Sequence, residues 1–168
     1  GMSNDEMSAL FDKWNKGRLN SYLIEISADI LKQRDDELDG HLLDVILDKA
    51  KQKGTGKWTS QTAMDLGVPV PTIDAAVTMR GISAFKEFRQ DMSTLYNIVH
   101  PHEVPLKGDG LAKAVEESLY FSFVICYAQG MHLLAEASEE LNYDLDMEGI
   151  ARIWRGGCII RASLLEQI

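Results

Sequence analysis

The sequence contains few residues that cross-link or interrupt a fold, with two cysteines and four prolines among 168 residues. Cys126 and Cys158 lack Cys-x-x-Cys spacing and lie in apolar, helix-like surroundings, a pattern typical of buried reduced thiols rather than a disulfide or a zinc site. Basic residues are also scarce, since 17 Lys and Arg stand against 26 Asp and Glu and give a net charge of -9. Without a basic stripe to displace counterions, nucleic acid and anionic membranes are excluded as partners.

Long hydrophobic runs are missing as well. No apolar run approaches the roughly 18 residues needed to span a bilayer, and no signal segment opens the chain. The composition, 45% hydrophobic, is nonetheless sufficient for one sizeable core, and 168 residues correspond to about one domain. These features predict a soluble, cytoplasmic chain that folds as a single helical domain over residues 1–168.

The hydrophobic pattern predicts an all-α, multi-helix domain with one long central helix, and no segment shows the alternation of a strand. Ser3 and Glu6 form a potential capping box, and Asp109 is a potential N-cap of the long helix. The long helix is apolar over much of its circumference, which predicts a place in the core. Residues 97–110 are predicted to be the one substantial loop. Four helices are predicted over residues 3–14, 21–32, 72–96 and 111–141. A last helix is predicted to begin at residue 146, to break at residues 156–157 and to resume over residues 159–165.

The segment 52–59, Gln-Lys-Gly-Thr-Gly-Lys-Trp-Thr, has the composition of an anion-binding loop. Its glycines can present backbone N–H groups, while Lys53 and Lys57 add positive charge and Thr55 adds a hydroxyl. A helix-like stretch over residues 59–66 follows, so the loop is predicted to lie near a helix N-terminus, where the macrodipole favours a phosphate or a carboxylate. The pattern therefore indicates a phosphorylated ligand.

The alternatives to this interpretation are two other phosphate-binding motifs and a turn that binds no ligand. A Walker loop is excluded because Lys51 occupies its first glycine position and Trp58 follows Lys57. A dinucleotide fingerprint needs a third glycine where Thr59 stands, and it needs a preceding β-strand. A flexible turn with solvated lysines remains the alternative from composition alone.

Five segments of the chain resemble 6-phosphogluconate dehydrogenase. Residues 46–58, which contain Lys-Gly-Thr-Gly-Lys-Trp, are similar to the substrate-binding segment of that family. The resemblance covers nearly the whole chain but only part of the family's all-helical C-terminal domain. The loop also favours the phosphogluconate branch over the wider 3-hydroxy-acid dehydrogenase superfamily. The other four segments follow the family's order: Trp-Asn-Lys-Gly-Arg-Leu-Asn-Ser-Tyr-Leu-Ile-Glu-Ile at 14–26, Leu-Gly-Val-Pro-Val at 66–70, Tyr-Ala-Gln-Gly at 127–130, and Ile-Trp-Arg-Gly-Gly-Cys-Ile-Ile-Arg at 153–161.

The resemblance implies that Lys53, Thr55 and Arg80 bind the phosphate group of 6-phosphogluconate. The chemistry of these residues suits that role, because an arginine can bind two phosphate oxygens through its planar fork, a lysine adds a point charge and a threonine donates a hydroxyl. The structural alternatives are an ion pair of Arg80 with Asp74 or Glu87, and a solvated loop charge for Lys53.

The activity that the resemblance implies is the NADP-dependent oxidation and decarboxylation of 6-phosphogluconate to ribulose 5-phosphate, a step of the pentose phosphate pathway. In the family, a Rossmann domain binds NADP, a following helix supplies a catalytic lysine and glutamate, and a C-terminal tail reaches into the partner's site. None of these elements has matching positions in this chain. We therefore expect no catalytic residue, no bound NADP and no turnover by this chain alone.

The helical domain forms the subunit contact in the family, so the resemblance also implies a homodimer. The alternative function is a non-catalytic helical interaction module, or a remnant, that dimerises without turnover. Gly1 and Met2 fit either a tag remnant before a start methionine or an internal stretch of a longer protein.

Five further residues are weaker candidates. His100 and His102 lack the surrounding ligands of a metal site, so no metal is predicted. His132 is interpreted as a packed or surface histidine rather than a base. Arg155 and Arg161 are expected to form ion pairs in the interior or at an interface.

Overall fold

The computed structural model describes residues 1–37, 39–51, 53–96 and 107–168. This part of the chain forms eight α-helices and one 3₁₀ helix, and it contains two isolated β-bridges but no β-strand. The predicted all-α class is confirmed. The α-helices are α1 (Asn4–Asn15), α2 (Tyr22–Lys32), α3 (Leu42–Val45), α4 (Thr55–Asp65), α5 (Pro71–Ser83), α6 (Lys86–Tyr96), α7 (Gly108–Glu140) and α8 (Met147–Ile153), and the 3₁₀ helix is Ser163–Glu166.

Contacts divide the chain into two compact units. The first consists of Gly1–Ile46, Val115–Tyr120 and Leu145–Ile168, and the second consists of Leu47–Ala114 and Phe121–Asp144. Each unit has its own buried residues. That the whole chain is a single domain stays a prediction.

The first unit is built on the packing of α1 against α2. Both Ser8 and Ala28 are buried, and the Ser8 hydroxyl donates a 2.7 Å hydrogen bond to the Ala28 carbonyl oxygen. The C-terminal segment is attached at the start of α2, where the Tyr22 N–H donates to the Arg161 carbonyl at 3.1 Å. Small residues and shared hydrogen bonds therefore allow a close helix contact. The buried hydrophobic residues of this unit are Trp14, Leu19, Ile24, Ala28, Leu31, Ala151, Leu164 and Leu165.

The second unit has a smaller buried cluster and carries the candidate site. The Gln129 side-chain oxygen on α7 accepts hydrogen bonds from the N–H groups of Thr72 at 3.1 Å and Ile73 at 3.3 Å, in the first turn of α5. These N–H groups have no partner within their own helix. Gln129 thus caps α5 from a different helix. The cluster itself consists of Ala63, Val68, Val70 and Leu133, with Leu66 and Ile73 packed against it.

The capping box predicted at Ser3 and Glu6 is confirmed, and the helices predicted to start at Ser21 and Asp146 also begin with side-chain caps. Ser3 caps α1 and forms a capping box with Glu6, Ser21 caps α2, and Asp146 caps α8 by accepting from the Gly149 N–H. Each side-chain oxygen satisfies an N–H that the helix itself leaves free. Such signals lie within a few residues of one another, so the sequence alone contains them.

The single helix predicted over residues 72–96 is instead the pair α5 and α6, which separate after Ser83. The Phe85 N–H donates to the Ile82 carbonyl at 3.1 Å, a tight turn that ends α5. The Ser83 carbonyl accepts from the Arg89 guanidinium at 3.3 Å. A side chain from the next helix therefore stabilises the break, and the hydrophobic stripe does not reveal it.

Two other boundaries differ from the prediction. Lys107 is the N-cap of α7, so Asp109 lies in the first turn, where it can still interact favourably with the helix dipole. No α-helix resumes over 159–165, because the backbone of Arg161 is bonded to the start of α2 and only the 3₁₀ helix Ser163–Glu166 follows. Most of the predicted loop, residues 97–106, lies outside the described residues.

The long helix α7 is only partly covered by the rest of the chain. Among its residues, Leu133 and Ala137 are buried, whereas Leu111, Val115 and Phe121 are 40%, 45% and 66% exposed. The prediction that this helix lies in the core is therefore wrong for much of its length. By length and composition alone, α7 could also cross a membrane. A helix that is apolar around most of its surface needs further neighbours to cover it.

Candidate phosphate-binding site

The glycine-rich loop leads directly into α4. Gly54 has a φ of 109°, a left-handed conformation that favours glycine, and the helix begins at the next residue, Thr55. The predicted start at Thr59 is four residues too late. The two glycines suggested a longer loop, but Gly54 is the N-cap and Gly56 already lies in the first turn.

The N-terminus of α4 has the features of an anion site. Gly54 provides no side-chain cap, and the first backbone bond of the helix is donated by Trp58 to the Gly54 carbonyl at 2.8 Å. The N–H groups of the three residues before Trp58 are the unpaired donors that every α-helix has at this end. Lys53 and Lys57 are both exposed beside them. Free donors, the helix dipole and two ammonium groups together favour an anion.

Gly56 lets α4 approach α5 closely. A Cβ atom at Gly56 would lie 3.0 Å from the Cγ2 atom of Val77, closer than side chains normally pack. Val77 lies three residues before Arg80, on the same side of α5. The missing side chain at Gly56 therefore helps to bring the arginine's helix next to the loop.

Arg80 reaches the loop itself. Its guanidinium donates a 2.6 Å hydrogen bond to the carbonyl oxygen of Lys51, two residues before Lys53. Both expected carboxylate partners are engaged elsewhere, since Asp74 accepts from the Ser60 hydroxyl at 2.6 Å and Glu87 pairs with Lys49 at 3.8 Å. Within the described part of the chain, Arg80 forms no ion pair, and its other N–H donors stay available.

The carboxyl of Glu87 contributes to the electrostatics beside this site. Its own backbone N–H and the nearby Lys49 ammonium hold the pKa of Glu87 below its usual range. At neutral pH the Glu87 carboxylate is ionised, and it pairs with Lys49 rather than with Arg80. Lys53, Lys57 and Arg80 are the basic side chains beside the start of α4 that no ion pair occupies in the described part of the chain.

The structure thus places Lys53 and Thr55 at one helix N-terminus and attaches Arg80 to the same loop. Sequence reasoning missed three other residues that shape the site. Gln129 caps the helix of Arg80, and Arg89 donates to both the side chain and the carbonyl of Asp48. Asp48 and Arg89 are 41 residues apart, and neither has a local motif, so no sequence signal links them.

The remaining candidates lie away from the loop. His132 is exposed on α7 and pairs with Glu136 at 3.2 Å. Arg161 forms the expected ion pair, with Glu25 at 2.9 Å, whereas Arg155 donates to the carbonyl of Leu165. His100 and His102 lie outside the described residues. Among the side chains that the structure describes, no three potential ligands converge on a metal site.

The two cysteines are free thiols and are half-buried rather than fully buried. Burial raises the pKa of the Cys126 thiol. The Cys158 thiol donates to the Trp154 carbonyl at 3.2 Å. Both thiols therefore pack within the fold without a disulfide partner among the described residues.

Comparison with known proteins decides the family. The family described as "6-phosphogluconate dehydrogenase, C-terminal domain" matches residues 1–168, the whole chain. The chain belongs to this family. It is 52% identical over its full length to the NADP(+)-dependent, decarboxylating 6-phosphogluconate dehydrogenase of Bacillus subtilis, and 48% identical to the decarboxylating enzyme of Lactococcus lactis. These relatives confirm the resemblance inferred from the five segments.

The fold of this chain also matches that of a solved 6-phosphogluconate dehydrogenase structure. The Plasmodium falciparum 6-phosphogluconate dehydrogenase, studied in its apo form and with its cofactor NADP+ and substrate 6-phosphogluconate, matches 99% of this chain with a TM-score of 0.90 and 45% identity. The match covers 36% of that protein. The chain likewise spans about 35% of the length of the curated bacterial relatives. Some plant relatives, such as one from Spinacia oleracea, are chloroplastic.

Proposed function

We propose that this chain is the substrate-binding and dimerisation portion of an NADP-dependent, decarboxylating 6-phosphogluconate dehydrogenase. Lys53, Thr55 and Arg80 bind the phosphate of 6-phosphogluconate. The main support is the contact of Arg80 with the loop at Lys51, which brings a guanidinium to the uncapped N-terminus of α4. A cytoplasmic location is proposed as well.

The roles of the three residues follow from their chemistry. The N–H groups at the start of α4 and the Thr55 hydroxyl donate hydrogen bonds to the phosphate oxygens, and Lys53 neutralises part of the charge. One guanidinium nitrogen of Arg80 donates to the Lys51 carbonyl, and its remaining N–H groups can bind two oxygens of the phosphate. Sulfate or inorganic phosphate would meet the same donors, so the sugar acid has to be recognised in part by other groups.

The described residues do not fit NADP. They form no β-strand, and therefore no strand, glycine-rich turn and helix unit of the type that holds a dinucleotide. We assign no step of hydride transfer to them, and no described group is placed as a general base for the sugar. The proposal is accordingly that the chain alone does not turn over substrate.

Calorimetric titration with 6-phosphogluconate tests the binding site. We expect heat with 6-phosphogluconate and none with gluconate, which lacks the phosphate. Arg80→Ala and Lys53→Ala should each weaken binding by about tenfold or more, because a charged hydrogen bond contributes roughly 1.5–3 kcal/mol. The Lys51→Ala variant is the matched control, since Lys51 contributes its carbonyl rather than its side chain. Equal affinity for gluconate, or no loss in the variants, would refute the site.

The second candidate function is a non-catalytic module that dimerises. The exposed apolar side chains of α7 favour it, because a surface of this kind is normally covered by protein. Sedimentation equilibrium with wild type and Phe121→Glu distinguishes the cases. A dimer that the charge disrupts, without any heat from 6-phosphogluconate, would favour the module over the substrate-binding portion.

A further inference from the structure

We infer that Arg89 is a positioning residue that holds the segment Asp48–Lys51 against α5 and α6 and thereby sets the geometry of the phosphate loop. The inference rests on the proposed function, because the segment leads into Lys53 and Thr55. Arg89 itself lies on α6 and is not offered as a ligand of the phosphate.

The contacts of Arg89 gather three acceptors around one guanidinium. Both terminal nitrogens donate to the same Asp48 carboxylate oxygen at 3.2 Å, and one of them also donates to the Asp48 carbonyl at 3.0 Å and to the Ser83 carbonyl at 3.3 Å. The Arg89 side chain is 33% exposed, so these bonds are partly shielded from water. A pair that also bonds two carbonyls is more specific than an ordinary surface ion pair.

Every residue of the segment is attached to α5 or α6. Asp48 is held by Arg89, the Lys49 ammonium lies 3.8 Å from a Glu87 carboxylate oxygen, and the Lys51 carbonyl accepts from Arg80. In addition, the Ala50 N–H donates to the Ser83 hydroxyl at 3.1 Å. The break between α5 and α6 makes this possible, because it lets groups at Ser83 and on α6 face the same segment.

Arg89 forms more of these bonds than any other residue, and it connects α5 with the segment Asp48–Lys51. Through Ser83 it contacts the helix that carries Arg80, and through Asp48 it contacts the chain that leads to Lys53. Loss of this guanidinium would therefore leave the Lys51 carbonyl and the Arg80 side chain free to shift together. Displacement of the loop would weaken phosphate binding even though every phosphate-binding residue is still present.

The test combines amide hydrogen exchange with titration of 6-phosphogluconate, on wild type, Arg89→Ala, Asp48→Asn and the double variant. We expect exchange at Ala50 and its neighbours to become at least several-fold faster in Arg89→Ala, while exchange at Leu133 in the second unit's core stays unchanged. The affinity for 6-phosphogluconate should fall about tenfold, as expected when a supporting contact of a binding group is lost.

Two controls separate positioning from general destabilisation. Arg152→Ala removes an exposed arginine that pairs with Glu148 on α8, and it should change neither exchange nor affinity. Arg89→Lys keeps the charge without the fork, so it should recover only a small part of the affinity. The double variant should bind about as weakly as Arg89→Ala alone, because both substitutions break the same contact.

Each outcome decides the inference. Faster exchange at Ala50 together with weaker, non-additive binding supports it, and unchanged exchange at Ala50 in Arg89→Ala overturns it whatever the ligand does. Faster exchange with wild-type affinity also overturns it, because the loop position would then be irrelevant to binding. No binding by wild type overturns the proposed phosphate site instead, while faster exchange in Arg89→Ala would still support the anchoring of the segment by Arg89.

Discussion

The α1–α2 pair and the α4–α6 region differ in what holds them together. In the first, a buried serine and a buried alanine let two capped helices pack closely, and the unit contains most of the buried hydrophobic residues that the structure describes. In the second, α5 and α6 contain no buried side chain among those described, and hydrogen bonds from Gln129, Arg80 and Arg89 position the elements. Stability is concentrated in one region and the candidate site in the other.

Truncation of a core side chain should give the largest effect. Leu19 is fully buried in the first unit, so Leu19→Ala should reduce the free energy of unfolding by about 2–5 kcal/mol, from lost burial and from the cavity that remains. Leu95→Ala on α6, where the side chain is 69% exposed, should change it by less than about 0.5 kcal/mol. Chemical denaturation followed by circular dichroism measures both, and similar losses would contradict the contrast between the regions.

A methyl group at the contact of α4 and α5 should give an intermediate effect. Gly56→Ala places a Cβ atom 3.0 Å from Val77, and the resulting shift should cancel or exceed the helix propensity that alanine gains, which is at most about 1 kcal/mol. Gly130→Ala on α7 is the matched control, because its Cβ atom would meet no atom within 4 Å. We expect Gly130→Ala to raise the denaturation midpoint and Gly56→Ala to leave it equal or lower.

The double variant Gly56→Ala/Val77→Ala checks the cause of that difference. Removal of the Val77 methyl groups should recover part of the loss, since the clash involves its Cγ2 atom. If the double variant is simply the sum of its two single variants, the contact does not limit the approach of the helices.

Lowering the pH should produce the smallest change in the free energy of unfolding, through an ion pair at the surface of the first unit. The hydrogen bond from His41, and then the charges of Arg34 and His41, lower the pKa of the Asp5 carboxyl. Because the folded-state pKa is depressed, the contribution of Asp5 to stability is complete above the usual aspartate pKa of about 3.9 and is lost as the pH falls through the lowered value.

Urea denaturation of wild type and Asp5→Asn between pH 6 and pH 3 measures this contribution. Wild type should be the more stable protein at pH 6, and the difference should shrink towards pH 3. Asp12→Asn is the control, because it removes a carboxylate from the same helix without removing the contacts of His41 and Arg34 with Asp5. A constant difference between wild type and Asp5→Asn over this range would rule out the ion pair as its source.

The sequence predicted the parts of the fold that depend on neighbouring residues. Ser3, Ser21 and Asp146 each cap a helix that starts next to them, and the composition of the 52–59 segment predicted a loop before a helix. The helix start was wrong by four residues because Gly56 looked like part of a flexible turn. Its actual role depends on Val77, which is 21 residues away and comes close only in the folded chain.

The remainder of the site could not be predicted for the same reason. At the break after Ser83 the Ser83 carbonyl accepts from Arg89, Gln129 caps α5, and Asp48 before the loop accepts from Arg89. Each contact joins residues that carry no shared motif. The exposure of α7 was also missed, because a hydrophobic pattern indicates that a face will be covered but does not identify the element that covers it.

The attachment of Lys51 has a consequence for how far Lys53 can travel. Lys53 is two residues from the held carbonyl of Lys51 and two residues from Thr55, where α4 begins. Because an extended chain spans at most about 3.6 Å per residue, the Cα atom of Lys53 stays within about 7 Å of both points in any conformation of the link. The ammonium group therefore has a high effective concentration at the helix end, much as a short linker gives a tethered ligand.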